Sequence, residues 1–231
     1  MNIRSLGFFV ITVLMSLSLW AQESEQTIEE LYLQTPMRTL ILKTVAESPD
    51  RESKSIALAD ILEMLDKGEE IDSEIVAILG DLAGESVTNV VMEQGYVTND
   101  FPEVRMLAVR ILSQIGTEEA AIELRSVLLN DPEPIVVAEA VLGLSRIEGI
   151  EDKKGRNQSL AASMYLQTAL KKDNNVAYTF LESVEIVARR EGGIDDLMVF
   201  EEVAKIADAR QGYSRVVRNR AHKLLKDLQN M

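Results

Sequence analysis

The sequence predicts an all-α fold, an α-solenoid of about five helix pairs with a capping helix at each end, and three observations carry that expectation. The first is an internal repeat. FPEVRMLAVRILSQIG, beginning at Phe101, returns thirty-two positions later as EPIVVAEAVLGLSRIE, so that Val104, Ala108, Leu112 and Ile115 fall opposite Val136, Ala140, Leu144 and Ile147. The second is the spacing within each copy, steps of four, four and three, which places these side chains on one face of a helix. The third is that the register returns further on, at Val176, Phe180, Val184 and Val187 and again at Val217, Ala221, Leu225 and Leu228. A period in the thirties built on amphipathic helices reads as stacked helix pairs, each covering an apolar stripe that only its neighbour can bury.

Taken in order, the first residues read as a targeting segment. Arg4 is followed by an apolar run from Leu6 to Trp20 and then by the polar stretch QESEQ, the outline of a secretory signal peptide over residues 1–21. The run is short against the ~20 residues that span a bilayer, so the solenoid is assigned to 22–231 and membrane contact is expected only if the segment stays uncleaved. A short helix from Ser24 to Gln34, capped by Ser24 or Thr27, seals the first end. Thr35-Pro36 opens the next helix with Met37, Ile41 and Val45 inward, and Arg51 to Lys67 is its partner. Asp72 caps SEIVAILGDLAG, and Glu85 to Gln94 reads as the helix paired with it, with no convincing strand anywhere.

The central copies are the clearest. One helix runs from about Pro102 to Ile115, Gly116 turns it, and Thr117 caps a second through Leu129 with Glu118 and Glu119 in its first turn. The next pair is Pro134 to about Ile147 and Arg156 to Lys171. Asp173 opens the fifth pair, Gly192-Gly193 turns it into a helix from Ile194 to Ala209, and the basic C-terminal helix closes the array.

Composition narrows the chemistry. There is no cysteine, so disulfides, thiolate metal sites and a cysteine nucleophile are excluded. The one histidine, His222, stands beside Arg220 and Lys223 and reads as part of an exposed basic face rather than a catalytic base. No metal-ligand spacing or phosphate-binding glycine loop occurs, and the acids around Glu69, Glu70, Asp72 and Glu74 suit a helix start. No cofactor, metal or catalytic residue is assigned. The formal net charge is −14, which disfavours nucleic acid. It is also uneven: residues 22–130 hold 22 acidic and 8 basic side chains, residues 131–231 hold 16 and 15.

The run Asn99-Asp100, Pro102, Val104-Arg105, Ala108, Leu112 and Ile115-Gly116, echoed by Asn130-Asp131, Pro134, Val136, Ala140 and Leu144, resembles the HEAT repeat family, and within it the short HEAT-like repeats of phycobilin lyases. The resemblance is good over 99–147, moderate over 173–229 and weak before residue 95. It implies a scaffold or adaptor, and a ladder of Asp and Arg between repeats. Val137 and Ala177 replace the arginine of Arg105 in two copies, so the ladder is expected to be partial. A tetratricopeptide array is the competing helix-pair reading, but its aromatic and Leu-Gly signposts do not recur.

The functional expectation is an exported, non-enzymatic protein-binding scaffold in the cell envelope or extracellular space. Glu118, Glu119 and Glu123 are expected to project from one repeat and Arg156, Lys171 and Lys172 from the next, with a basic partner segment docking over the first half. The alternatives are a lyase-like or carboxylate-dependent enzyme, or its subunit, and an inner-membrane-tethered structural protein. Neither the partner's identity nor an oligomeric state is legible.

Overall fold

Helix ends in this chain are written in capping residues, and the structure follows them. The computed structural model describes residues 28–170 and 172–231; the signal segment over 1–21, its cut and the cap at Ser24 or Thr27 lie outside them. The chain divides at residues 40 and 41 into two compact units. In the first begins α1 (Ile28–Ala46), a single helix that passes through Pro36 where two helices were expected. In the second, Leu42 and Ala46 of α1 are buried while Ile41 is 56% exposed, so the inward register is one residue later than the predicted Ile41 and Val45 stripe.

The larger unit holds α2 (Arg51–Asp66), α3 (Ser73–Ala83), α4 (Pro102–Ile115), α5 (Glu118–Asn130), α6 (Pro134–Arg146), α7 (Lys153–Leu170), α8 (Asn174–Glu191), α9 (Leu197–Ala207) and α10 (Arg215–Gln229). Side chains of Asp50, Asp72, Thr117, Asp173, Asp196 and Ser214 accept from the first free backbone N–H groups of α2, α3, α5, α8, α9 and α10, each cap worth about 1 kcal/mol. Pro102 and Pro134 open α4 and α6, where a missing N–H costs nothing. Gly116 and Gly192 end α4 and α8 at φ of 68° and 76°, the left-handed turn that a side chain would resist.

Two layers result. Helices α2, α4, α6, α8 and α10 stack in one, α3, α5, α7 and α9 in the other, and each pair is closed by its connecting turn. This is an all-α, HEAT-like solenoid with one continuous aliphatic core from Leu42 to Leu228. Phe180 is its one fully buried aromatic ring among the described residues. Gly143 lets α6 lie close to the preceding repeat, since a Cβ there would stand 2.9 Å from the Ser113 Cβ and 3.5 Å from a Leu124 methyl.

The expected helix at 85–94 is absent. Glu85 to Asn89 forms a turn closed by a bridge, and β1 (Met92–Glu93) and β2 (Tyr96–Val97) pair antiparallel, Met92 opposite Val97 and Glu93 opposite Tyr96. Gln94 and Gly95 between them have φ of 50° and 86°, the two left-handed residues of a tight hairpin turn. The hairpin takes no place in the stack, so α3 partners α2 directly, and α2 is a first helix rather than the second helix expected of it.

Candidate protein-binding surface

Two buried charged bridges tie the first three repeats together before any surface is formed. Arg105, 1% exposed, donates from Nε and a terminal nitrogen to Asp131 at 2.7 and 3.3 Å, and from its other terminal nitrogen to Asp100 at 2.7 Å, Ser86 Oγ at 3.0 Å and the Glu85 carbonyl at 3.3 Å. Burial works against its charge, and the bonds to Asp131 and Asp100 outweigh it, so its pKa goes up. Lys54 occupies the same place in α2: Ala57, Leu58 and Ile61 come after it as Ala108, Val109 and Leu112 come after Arg105. It donates to the Ala46 carbonyl and pairs with Glu85, both at 2.9 Å. The ladder therefore has a lysine rung that the Asp-Arg pattern does not reveal. Val137 and Ala177, which take that place in α6 and α8, are fully buried, so the ladder is interrupted there, as the sequence implies.

The residues expected to meet a partner are dispersed. Glu119 is exposed on α5. Glu118 accepts from the Glu151 backbone N–H at 3.0 Å, holding the loop before α7. Glu123 is half-buried across the Gly80 backbone of α3, close enough that a Cβ at Gly80 would collide with its carboxylate. Arg156 does not project at all. It is 1% exposed and pairs with Glu191 at 2.6 Å while also donating to Asn157. The last residue of α8 is an acid at a negative helix end, and the first turn of α7 turns Arg156 inward to neutralise it. Lys172 is exposed and donates to the Gln211 backbone carbonyl. Lys171 lies outside the described residues.

What does come together is acidic. Asp81 of α3 and Glu123 of α5 line a cleft of about 110 Å³ with Thr88 and Asn130, and neither forms an ion pair among the described residues. Burial, and then the charge of Asp81, push the Glu123 carboxyl above the usual glutamate range. A larger cleft of about 620 Å³ shares Asp81 and Thr88 and continues to the hairpin past Glu47, Ile78, Glu93 and Asn99. The smaller one lies well below the ~300–1,000 Å³ of ordinary small-molecule sites.

At the other end, Arg220 of the basic α10 pairs with Glu185 at 3.0 Å and lies over the Tyr178 ring, and Arg210 pairs with Asp208. Both cations are thereby withdrawn from the basic cluster around α10. His222 is exposed. Among the described residues no acidic or histidine cluster could hold a metal ion, and no helix is long and apolar enough to cross a membrane.

A repeat of this length is opened by Asp and Pro and tied to its neighbour through a buried Arg–Asp bridge. Residues 41–145 match the family model of HEAT repeats. That match supports the HEAT repeat family, whose members in general mediate protein–protein interaction; α7 to α10 carry the two-layer packing beyond it. No curated protein and no solved structure matches the chain.

The charge of Glu123 has a cost that can be measured. Its folded pKa is raised, so the folded protein holds the proton more tightly than the unfolded chain does, and ionisation destabilises above the ordinary glutamate value. Glu123→Gln is expected to raise the melting temperature near neutral pH by about 1–2 °C, a solvent-discounted effect, and the gain should close as pH falls below about 4.5. Melts at both pH values check it.

Proposed function

We propose that the protein is a non-enzymatic HEAT-repeat scaffold that captures a basic segment of a protein partner on the second-helix layer of its first half, in the cell envelope or extracellular space. The observation that carries this is the unpaired acidity of α3 and α5. Asp81, Glu119 and Glu123 form no ion pair among the described residues, while Glu118 and Asp152 are used up internally. Keeping a half-buried carboxylate beside another acid costs stability, and a partner cation would recover that cost. The exported location rests on the apolar run from Leu6 to Trp20 alone, and N-terminal sequencing of the mature protein tests it.

A stacked array presents such a face without refolding, so little ordering is required when a partner arrives. Crosslinking and pull-down from the native envelope should recover a partner whose capture is lost with Glu119→Lys and Glu123→Lys together and kept with Arg215→Glu and Lys223→Glu on α10. Equal capture by the first variant would overturn the reading.

A further inference from the structure

The hairpin interrupts the repeat, buries nothing, and yet is held in place by buried polar groups. Every residue from 90 to 98 is exposed, with Met92 at 60% and Tyr96 at 77%. Its base is different. Asn99, 2% exposed, accepts from the Val91 backbone N–H at 2.9 Å and donates to the Asn89 carbonyl and to Glu85, both at 2.6 Å. Glu85 is fixed in turn by Lys54. Buried amide and ionic groups are costly unless fully bonded, and here the bonding spans the hairpin's two ends. The fold thus maintains a rigid mount for a protrusion whose apolar side chains face water, an arrangement that stability does not explain and that marks contact surfaces.

The two faces of the hairpin differ. Side chains alternate along a strand, so Val91 and Glu93 share one face with Tyr96 and Thr98 opposite them, and three of these four line the large cleft. Across that cleft stand Glu47 and Asp81. Its lysines are Lys43 and Lys54, and Lys54 is already neutralised by Glu85. Glu47, Asp81 and Glu93 remain against Lys43, which leaves the groove net acidic, with Val91 and Thr98 beside Glu93 on its hairpin side.

We infer that the hairpin is a docking finger, and that the groove between it and α3 takes an extended segment of a protein partner in which lysine or arginine alternates with apolar residues. The apolar side chains lie against Val91 and Tyr96, and the basic ones reach Asp81, Glu47 and the Glu93 rim. This rests on the scaffold reading and names the chemistry and entry point of the partner. The groove runs on past Asp81 to Glu123, so a longer segment would continue onto α5.

The test uses dye-labelled ten-residue peptides and fluorescence anisotropy at physiological salt: one alternating Lys and Val, one alternating Glu and Val, and decalysine. The Lys/Val peptide should bind at least tenfold tighter than either other. Its affinity should fall at least tenfold with Asp81→Lys plus Glu93→Lys, and likewise with Val91→Ser plus Tyr96→Ser. These side chains are exposed or half-exposed, and unchanged melting curves confirm that the variants fold. Equal binding of decalysine, or full binding by the hairpin variant, overturns the inference. Loss only with Glu119→Lys plus Glu123→Lys overturns it too, while leaving the scaffold reading intact; no binding of any peptide counts against both. A concentration-dependent mass that disappears with Tyr96→Ser would make a second copy of the chain the occupant and also overturns it.

Discussion

Arg105→Ala should lower the melting temperature by about 10 °C, the largest effect expected of any charged residue in the chain. The side chain is almost wholly buried and bridges three segments: the turn at Glu85 and Ser86, Asp100 before α4, and Asp131 before α6. Removing it leaves Asp131, 4% exposed, with its charge answered only by the Glu133 backbone N–H at 2.8 Å. A buried ion stripped of its partner costs about 3–5 kcal/mol, and about 1 kcal/mol moves the midpoint of a domain this size by ~2–4 °C. Arg105→Lys keeps the charge but not the fork that reaches two carboxylates at once, and should lose roughly half as much. Adding Asp131→Asn to Arg105→Ala should recover part of the loss by removing the stranded charge. The pH dependence has a definite sign. Arg105 holds the Asp100 carboxyl below the usual aspartate range, so the stabilisation is present above the ordinary aspartate value and fades as pH falls through the depressed one. The gap between parent and variant should therefore narrow in acid. A midpoint within about 2 °C of the parent at neutral pH would show that the bridge is not what couples these repeats.

The same region shows where sequence reasoning reaches and where it stops. Helices α4, α5 and α6 are legible nearly to the residue, because Pro102, Gly116, Thr117 and Pro134 punctuate an apolar register that repeats. Before residue 95 two local ambiguities mislead. Val90, Val91 and Met92 on one side of Gln94-Gly95, and Tyr96 and Val97 on the other, are a hairpin signal, since β-branched and aromatic residues flank a turn glycine. Their apolar run also satisfies a short helix, and the expectation of a partner for α3 chose wrongly between the two. The same ambiguity hides the lysine rung, because a helix over 85–94 would put Glu85 at its start rather than beneath Asn99 and Lys54. Of the expected partner-facing residues, Glu119 is where helix periodicity puts it. Arg156 is not, because its fate is decided by Glu191, thirty-five positions away, and a tertiary ion pair leaves no trace in local spacing. Asp81, half of the acidic pair with Glu123, carries no local signature either; it matters because α3 packs against α5.

Phe180→Ala should be the most damaging apolar substitution, and it should act unevenly along the chain. Phe180 is fully buried in α8, and deleting a buried phenyl ring costs about 3–5 kcal/mol. The C-terminal repeats at α6 and α8 meet that loss without a charged group at the ladder position. Between α6 and α8 the ladder position is taken by Val137 and Ala177, and the interface is crossed by apolar packing, with the Ser183 hydroxyl donating to the Val141 carbonyl at 3.2 Å and Arg190 donating to the Ser145 carbonyl at 2.9 Å. In a stack whose stability is a sum of repeats and nearest-neighbour interfaces, weakening a repeat beyond the last charged rung should uncouple the helices C-terminal to it. Hydrogen exchange of Phe180→Ala should then show amides from α8 to α10 exchanging several-fold faster while α2 to α5, held by the Lys54 and Arg105 rungs, keep their protection, and the thermal transition should broaden. Arg105→Ala should do the opposite, loosening the N-terminal repeats and leaving α8 to α10 protected. If both variants instead lose protection uniformly, the array folds as one cooperative block, and the charged rungs add stability without dividing it.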